Sequence, residues 1–161
     1  MTLTVRRGTA SDAELLWEWR NDALVRENSF TSEPIGWTDH QRWLADRLAS
    51  RDTVIYVIED AFGPVAQVRY ERRGPEAEVG ISVAAAARGR GYGRAALTET
   101  LPGACATLGV DRVIALVKAD NVPSQRAFET AGFTPAGTVV ERGVRCRKYL
   151  YRAVQPRGHD A

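Results

Sequence analysis

Lysine is almost missing from this sequence: Lys118 and Lys148 are the whole supply, so nearly all of the positive charge is arginine. A guanidinium is a planar fork of donors that suits phosphate and carboxylate, although a biased genome composition would give the same skew. Cysteine is equally scarce. Cys105 and Cys146 lie far apart with no metal-ligand spacing. That argues against a disulfide and against a metal site, and marks both as small core or strand residues. His40 and His159 are the only histidines and form no partner pattern. No apolar run approaches the ~20 residues that span a bilayer, and the N-terminus has no apolar leader segment. The expectation is a cytoplasmic protein without a membrane partner. A net charge of +2 over 161 residues gives no case for a nucleic-acid partner. With 44% hydrophobic and 26% charged residues, the chain can bury a real core as one folded domain.

Periodicity then lays out the elements. Thr2 to Arg6 alternates apolar and polar residues and reads as a strand. Ser11 and Asp12 read as a helix start, with Glu14 placed for a capping box from Ser11; the apolar face is Leu15, Leu16 and Trp19, fading near Asn21-Asp22. Residues 27–37 read as a loop, and Thr38-Asp39 cap a second helix carrying Trp43, Leu44 and Leu48. Val54–Ile58, Val65–Tyr70 and Glu78–Val83 are three closely spaced strands, which predicts an antiparallel meander. Arg94 to Leu108 reads as helix, with Pro102-Gly103 predicting a kink or break. A strand follows at Val113–Val117, then a helix at Pro123–Ala131 ended by Gly132. Two last strands flank a turn near Arg142-Gly143. The sum is an α/β (α+β) mixed sheet of about seven strands and four helices, in one domain over residues 1–155 with a loose tail at 156–161.

One stretch carries chemistry. Arg88-Gly89-Arg90-Gly91-Tyr92-Gly93-Arg94 sits between a strand and a helix start. Main-chain N–H groups at such a junction make an anion site, and glycine lets the backbone approach a phosphate closely. The same letters fit a dinucleotide fingerprint, Gly91-x-Gly93-x-x-Ala96 with Asp111 twenty residues on. That fingerprint needs repeated parallel crossovers, whereas here a meander precedes the glycines. An arginine-glycine nucleic-acid segment would be longer and repeated. A plain surface turn would have little need of three alternating glycines.

In that context Arg88-x-x-Gly91-x-Gly93 resembles the acetyl-CoA pyrophosphate loop of the GNAT N-acetyltransferases. Asn121-x-x-Ser124-x-x-x-Phe128-x-x-x-Gly132-Phe133 is similar to the family's second conserved stretch, and the likeness spans roughly residues 3–152. The resemblance implies the GNAT acyl-CoA N-acyltransferase fold, acetyl-CoA as cosubstrate with no metal, and direct transfer to an amine. Trp19-Arg20-Asn21-Asp22 with His40-x-x-Trp43 looks like a subgroup acting on nucleotide-linked amino sugars, which grades into ribosomal-protein N-terminal acetyltransferases. The acceptor it implies is the amine of a nucleotide-linked amino sugar. A protein N-terminus and a non-catalytic CoA-binding module are the alternatives, and a homodimer is plausible by resemblance only.

The resemblance also distributes roles. Gly89 to Arg94 would ring the pyrophosphate with N–H groups, while Arg88, Arg90 and Arg94 could add charge and Tyr92 could pack on the loop or cofactor. Ile81 and Val83 would offer main-chain groups to the pantetheine arm. Glu78 is the candidate general base, with Glu33 and His40 in reserve. Many relatives place tyrosine at the position of Phe128, and phenylalanine cannot donate a proton. Ser124 is the candidate donor in its stead, and Asn121 would hold the pantetheine or the following turn. Trp17, Trp19, Phe30 and Trp37, with Glu27, Asn28 and Ser29, are candidates for an acceptor pocket.

Overall fold

Alternation along the strands gives the sheet two unlike faces. The computed structural model describes residues 2–29 and 33–153. Among them, seven strands form one sheet in the order β1-β2-β3-β4-β5-β7-β6: β1 (Thr4–Arg7), β2 (Thr53–Asp60), β3 (Gly63–Arg73), β4 (Glu76–Val83), β5 (Arg112–Lys118), β6 (Thr134–Glu141) and β7 (Val144–Arg152). The meander β2-β3-β4 is antiparallel as its short turns require, and the parallel step falls between β4 and β5. Five helices join them: α1 (Ala13–Asn21), α2 (Ala23–Glu27), α3 (Trp37–Ala49), α4 (Tyr92–Leu108) and α5 (Val122–Thr130). This is the mixed α/β architecture expected, with one extra short helix.

On one face, Val54, Tyr56, Ile58, Ala66, Val68 and Tyr70 meet Leu97, Leu101, Ala104 and Leu108 of α4 in the main core. On the other, Ile55 packs with Leu16 of α1 and Leu44 of α3 in a small second cluster, with Trp19 and Trp43 against it.

Four local expectations need correction. The first helix is organised by Asp12 rather than Ser11: its carboxylate accepts from the Thr9 N–H at 2.8 Å and from the Arg6 guanidinium at 2.7 and 2.8 Å. α2 was invisible as a five-residue turn of helix without apolar period; the Asp22 side chain caps it by accepting from Leu24 and Val25. α3 starts one residue earlier than Thr38, behind Gly36 as N-cap. α4 runs unbroken through Pro102. Its apolar face lies buried along the sheet, and Gly103 lets it come so close that a Cβ there would sit 3.3 Å from the Tyr56 hydroxyl. Packing therefore outweighs the one lost helical hydrogen bond. The tail at 156–161 lies outside the described residues.

Candidate active site

The parallel seam is two residues long. β4 and β5 pair only at Ala77↔Val113 and Glu78↔Ile114, although β4 continues to Val83 and β5 to Lys118. Beyond Glu78 the strands diverge, so the edge of β4 from Gly80 to Val83 is left without a ladder partner from β5. Ile81 and Val83 send their half-buried side chains against the main core. Their main chain remains the part that a ligand can use.

The glycine turn stands at the mouth of this opening, and each glycine has its own reason. Gly89 and Gly91 have φ of +77° and +79°, the left-handed region where a side chain is strained. Gly93 is there for space: a Cβ would lie 3.3 Å from the Ala127 Cβ of α5 and within 4.0 Å of Ile81 and Val83. The first turn of α4 is thereby seated against α5 and β4. The first bond into that helix runs from the Ala95 N–H to the Gly91 carbonyl. The N–H groups of Tyr92, Gly93 and Arg94 thus have no acceptor within the helix, and the helix dipole adds partial positive charge there. Arg90 and Arg94 are exposed beside them.

Two members of the motif face elsewhere. The Arg88 guanidinium is bound to Asp22 at 2.6 Å, tying the loop to the α1–α2 junction and holding the Asp22 carboxyl below its usual range. Tyr92 is buried, with its hydroxyl donating to Asp60 at 2.7 Å on the β2–β3 side. What Tyr92 can offer an anion is its N–H, not its ring.

α5 begins on the far side of the opening. Asn121 is its N-cap; its Nδ2 donates to the Ser124 Oγ at 3.0 Å, and its Oδ1 accepts from the Ser124 N–H. The serine oxygen is an acceptor in this pair, so its own proton stays available for donation. Phe128 is 3% exposed and packs against Phe133 and Tyr149 with ring centroids 5.1 and 6.4 Å away. The ring is thus part of the core at the base of α5, and a place for Phe128 beside the cofactor rests on the resemblance alone.

On the opposite sheet face, Glu78 is the last paired residue of the seam. Its carboxylate meets Arg73 at 3.3 Å and lines a cavity of about 200 Å³ with Glu76, Leu116, Glu141 and Lys148. A second cavity, about 350 Å³, lies between α1 and the end of β4, lined by Trp19, Asn21, Asp22, Val83 and Arg88. It joins the acceptor-side helices to the glycine loop.

His40 is no base in reserve. It is fully buried, its Nδ1 contacts the Arg20 guanidinium at 2.9 Å and its Nε2 contacts the Ala13 carbonyl at 2.7 Å. Arginine can only donate, so Nδ1 accepts and Nε2 carries the proton. Burial, more than the nearby Arg20 charge, holds the imidazole below its usual pKa and therefore neutral. Glu33 is exposed on the surface.

The aromatic candidates mostly build the wall. The Trp17 indole N–H donates to the Ile35 carbonyl at 2.7 Å, and Trp17 meets Trp37 edge-on at 5.1 Å. Asn21 clamps Ile35 from both sides, accepting from its N–H and donating to its carbonyl. Of the 27–29 group, the Glu27 carbonyl accepts from Lys118 Nζ at 2.7 Å, and Asn28 and Ser29 close the end of α2. Phe30 lies outside the described residues.

Sequence reasoning missed an arginine cluster. The guanidinium groups of Arg20, Arg69 and Arg47 lie 4.0, 5.0 and 6.0 Å from the Trp43 ring centre. Arg69, Arg47 and Arg73 all approach the one carboxylate of Glu71, at 3.1, 3.5 and 3.4 Å. Alternation of Arg69 and Glu71 on β3 was the available signal. Which helix would cover them was not readable.

A glycine-led helix start beside a split parallel seam in a mixed seven-stranded sheet is the architecture of the acyl-CoA N-acyltransferases. Comparison gives the family itself. Residues 2–134 match the model of the acetyltransferase (GNAT) domain, so the chain belongs to the GNAT family and is an N-acetyltransferase. A Bacillus subtilis (strain 168) protein named "Putative phosphinothricin acetyltransferase YwnH" is 32% identical over 143 residues, covering 84% of this chain and 86% of the relative. The spermidine N-acetyltransferase of Vibrio cholerae, solved with CoA and spermine, superposes with a TM-score of 0.82 at 19% identity over 93% of this chain and 95% of that one. An AAC(6′)-Ib structure with an aminoglycoside and acetyl-CoA gives 0.81 at 18% identity, over 94% of each chain. Among the described residues, no group of three or more His, Cys, Asp and Glu could hold a metal ion.

Proposed function

We propose that this chain takes the acetyl group of acetyl-CoA and passes it directly to the primary amine of a small molecule. The observation that carries this reading is the coincidence of two openings. The unpaired edge of β4 ends where the N–H-rich start of α4 begins, so an extended amide-bearing arm and a pyrophosphate could be held in line. The seat is closely cut, since even one added carbon at Gly93 would press on Ala127. Bound acetyl-CoA supplies an activated acyl thioester. Glu78, on the acceptor face at the head of the split, would accept the proton that the attacking amine sheds, directly or through water. Ser124 would return a proton to the departing sulfur. Atoms balance: an N–C bond forms, the C–S bond breaks, and the products are an N-acetyl amine and a free thiol.

The acceptor is read as a small molecule because the cavities that flank β4, about 350 Å³ beside the loop and about 200 Å³ at Glu78, are of a size for small molecules. The amino-sugar expectation rested on Trp19 to Asp22 with His40 and Trp43, and these side chains serve the scaffold: Arg20 binds His40, Asn21 holds Ile35, and Asp22 caps α2 and pairs with Arg88. A nucleotide-linked amino sugar therefore enters the test on equal terms with other amines. Calorimetric titration with acetyl-CoA should give heat at one site and raise the melting temperature. Thiol release from acetyl-CoA should follow when an amine panel is added. No heat and no thermal shift would overturn the reading.

A further inference from the structure

The arginine cluster over Trp43 is not balanced by acidic residues. Ion pairs link Arg47, Arg69 and Arg73 to Glu71, and Arg73 also to Glu78. Arg20 adds a fourth guanidinium with no carboxylate partner among the described residues; its hydrogen bond goes to neutral His40. Four cations thus share two carboxylates. Burial, and after it the repulsion of Arg69 and Arg47, lowers the pKa of Arg20 to about 10.

Position makes this charge useful. Arg69 stands opposite Gly80 on the neighbouring strand, and its Nη2 lies 3.6 Å from where a Gly80 Cβ would be. Its guanidinium therefore leans across β4 at the first residues of the split. Its Nε pairs with Glu71, its two terminal nitrogens have no hydrogen-bond partner among the described residues, and the side chain, lying over Trp43, is 30% exposed. Glu78 projects from the same face two residues away. A carboxylate for an amine and a guanidinium fork for an anion are thus set side by side at the place where transfer would occur.

We propose that the acceptor is an amine that also bears an anionic group, a carboxylate or a phosphorus oxyanion, held by Arg69 with Arg20 behind it while its amine faces Glu78. The inference rests on the acetyltransferase reading and narrows it. Polyamines, with charge only of the repelled sign, are excluded as good acceptors.

The test is thiol release from acetyl-CoA by the intact protein with three sets of amines. The first pairs L-glutamate and aminoalkylphosphonates with their neutral esters. The second is a UDP-linked amino sugar against the free amino sugar, which tells a small acid from a nucleotide diphosphate as the source of the anion. The third is spermidine. The anionic member of a pair should exceed its neutral partner at least tenfold in kcat/KM, and R69M should raise KM for that acceptor about tenfold while the acetyl-CoA KM stays put. R69K should recover part of the loss, because charge returns without the fork. Equal turnover of acids and esters, or preference for spermidine, overturns the inference alone. Absence of acetyl-CoA binding with no turnover of any amine overturns the acetyltransferase reading and this inference with it.

Discussion

The two faces of the sheet are built on opposite principles. Under α4 the interior is apolar, and its polar groups are satisfied: the Tyr70 hydroxyl meets Thr100 Oγ1 at 2.7 Å, both buried. Under α1 and α3 the apolar cluster is small, and beside it stand arginines, a buried histidine and a tryptophan. One face is complete as it folds. The other sets four guanidinium groups against two carboxylates among the described residues.

Substitutions on the two faces should therefore behave differently. Leu101, 1% exposed in the main core, should give the largest loss: L101A is expected to cost about 3 kcal/mol in urea unfolding through lost burial and a cavity. R20M on the other face should cost less, about 1–2 kcal/mol: it strands the buried His40 Nδ1, while the desolvation cost of the buried cation is removed with it. If R20M proves as damaging as L101A, the cluster is structural and the contrast fails. Next in size, E78Q should lower kcat about 10²-fold with the acetyl-CoA KM little moved, measured by thiol release across pH. S124A removes one hydrogen bond to a charged sulfur, roughly 1.5 kcal/mol, and should slow kcat about tenfold. An unchanged rate in either variant removes that residue from its role.

The smallest effect is one of pH. The His40 pKa lies below its usual 6.5 in the folded protein because burial disfavours the cation. As pH falls through 6.5 the unfolded chain takes up a proton that the folded chain refuses, so stability declines until the lower folded value is passed. Above that window His40 contributes no slope. Melting temperatures of wild type and H40Q across the window should differ in slope, and equal slopes would place the acid sensitivity elsewhere.

The sequence disclosed these two faces unequally. Strand alternation, the Gly91–Gly93 turn and the Gly132 stop follow from local rules, and the meander, α4 and α5 could be placed from them. Asp12 was legible beside Ser11 as the start of the first helix, but its bond to Arg6 was not, because that depends on β1 lying alongside. The continuity of α4 through Pro102 escaped because it is decided by what the helix lies against. Tyr92 and Phe128 were legible as motif positions but not as buried rings, since a motif gives spacing and not direction. Arg69 could not be singled out among so many arginines until Gly80 was seen across from it.

The short seam between β4 and β5 has a consequence for upkeep as well as chemistry. The sheet's two leaves, β1-β2-β3-β4 and β5-β7-β6, share a seam of two paired positions and otherwise hold together through α4 and α5. A donor lying in the gap would close the book along its spine, and binding free energy would add directly to folding free energy. A population of this protein short of acetyl-CoA would be idle and also more often open to proteases, so its lifetime would track the supply of its own cosubstrate.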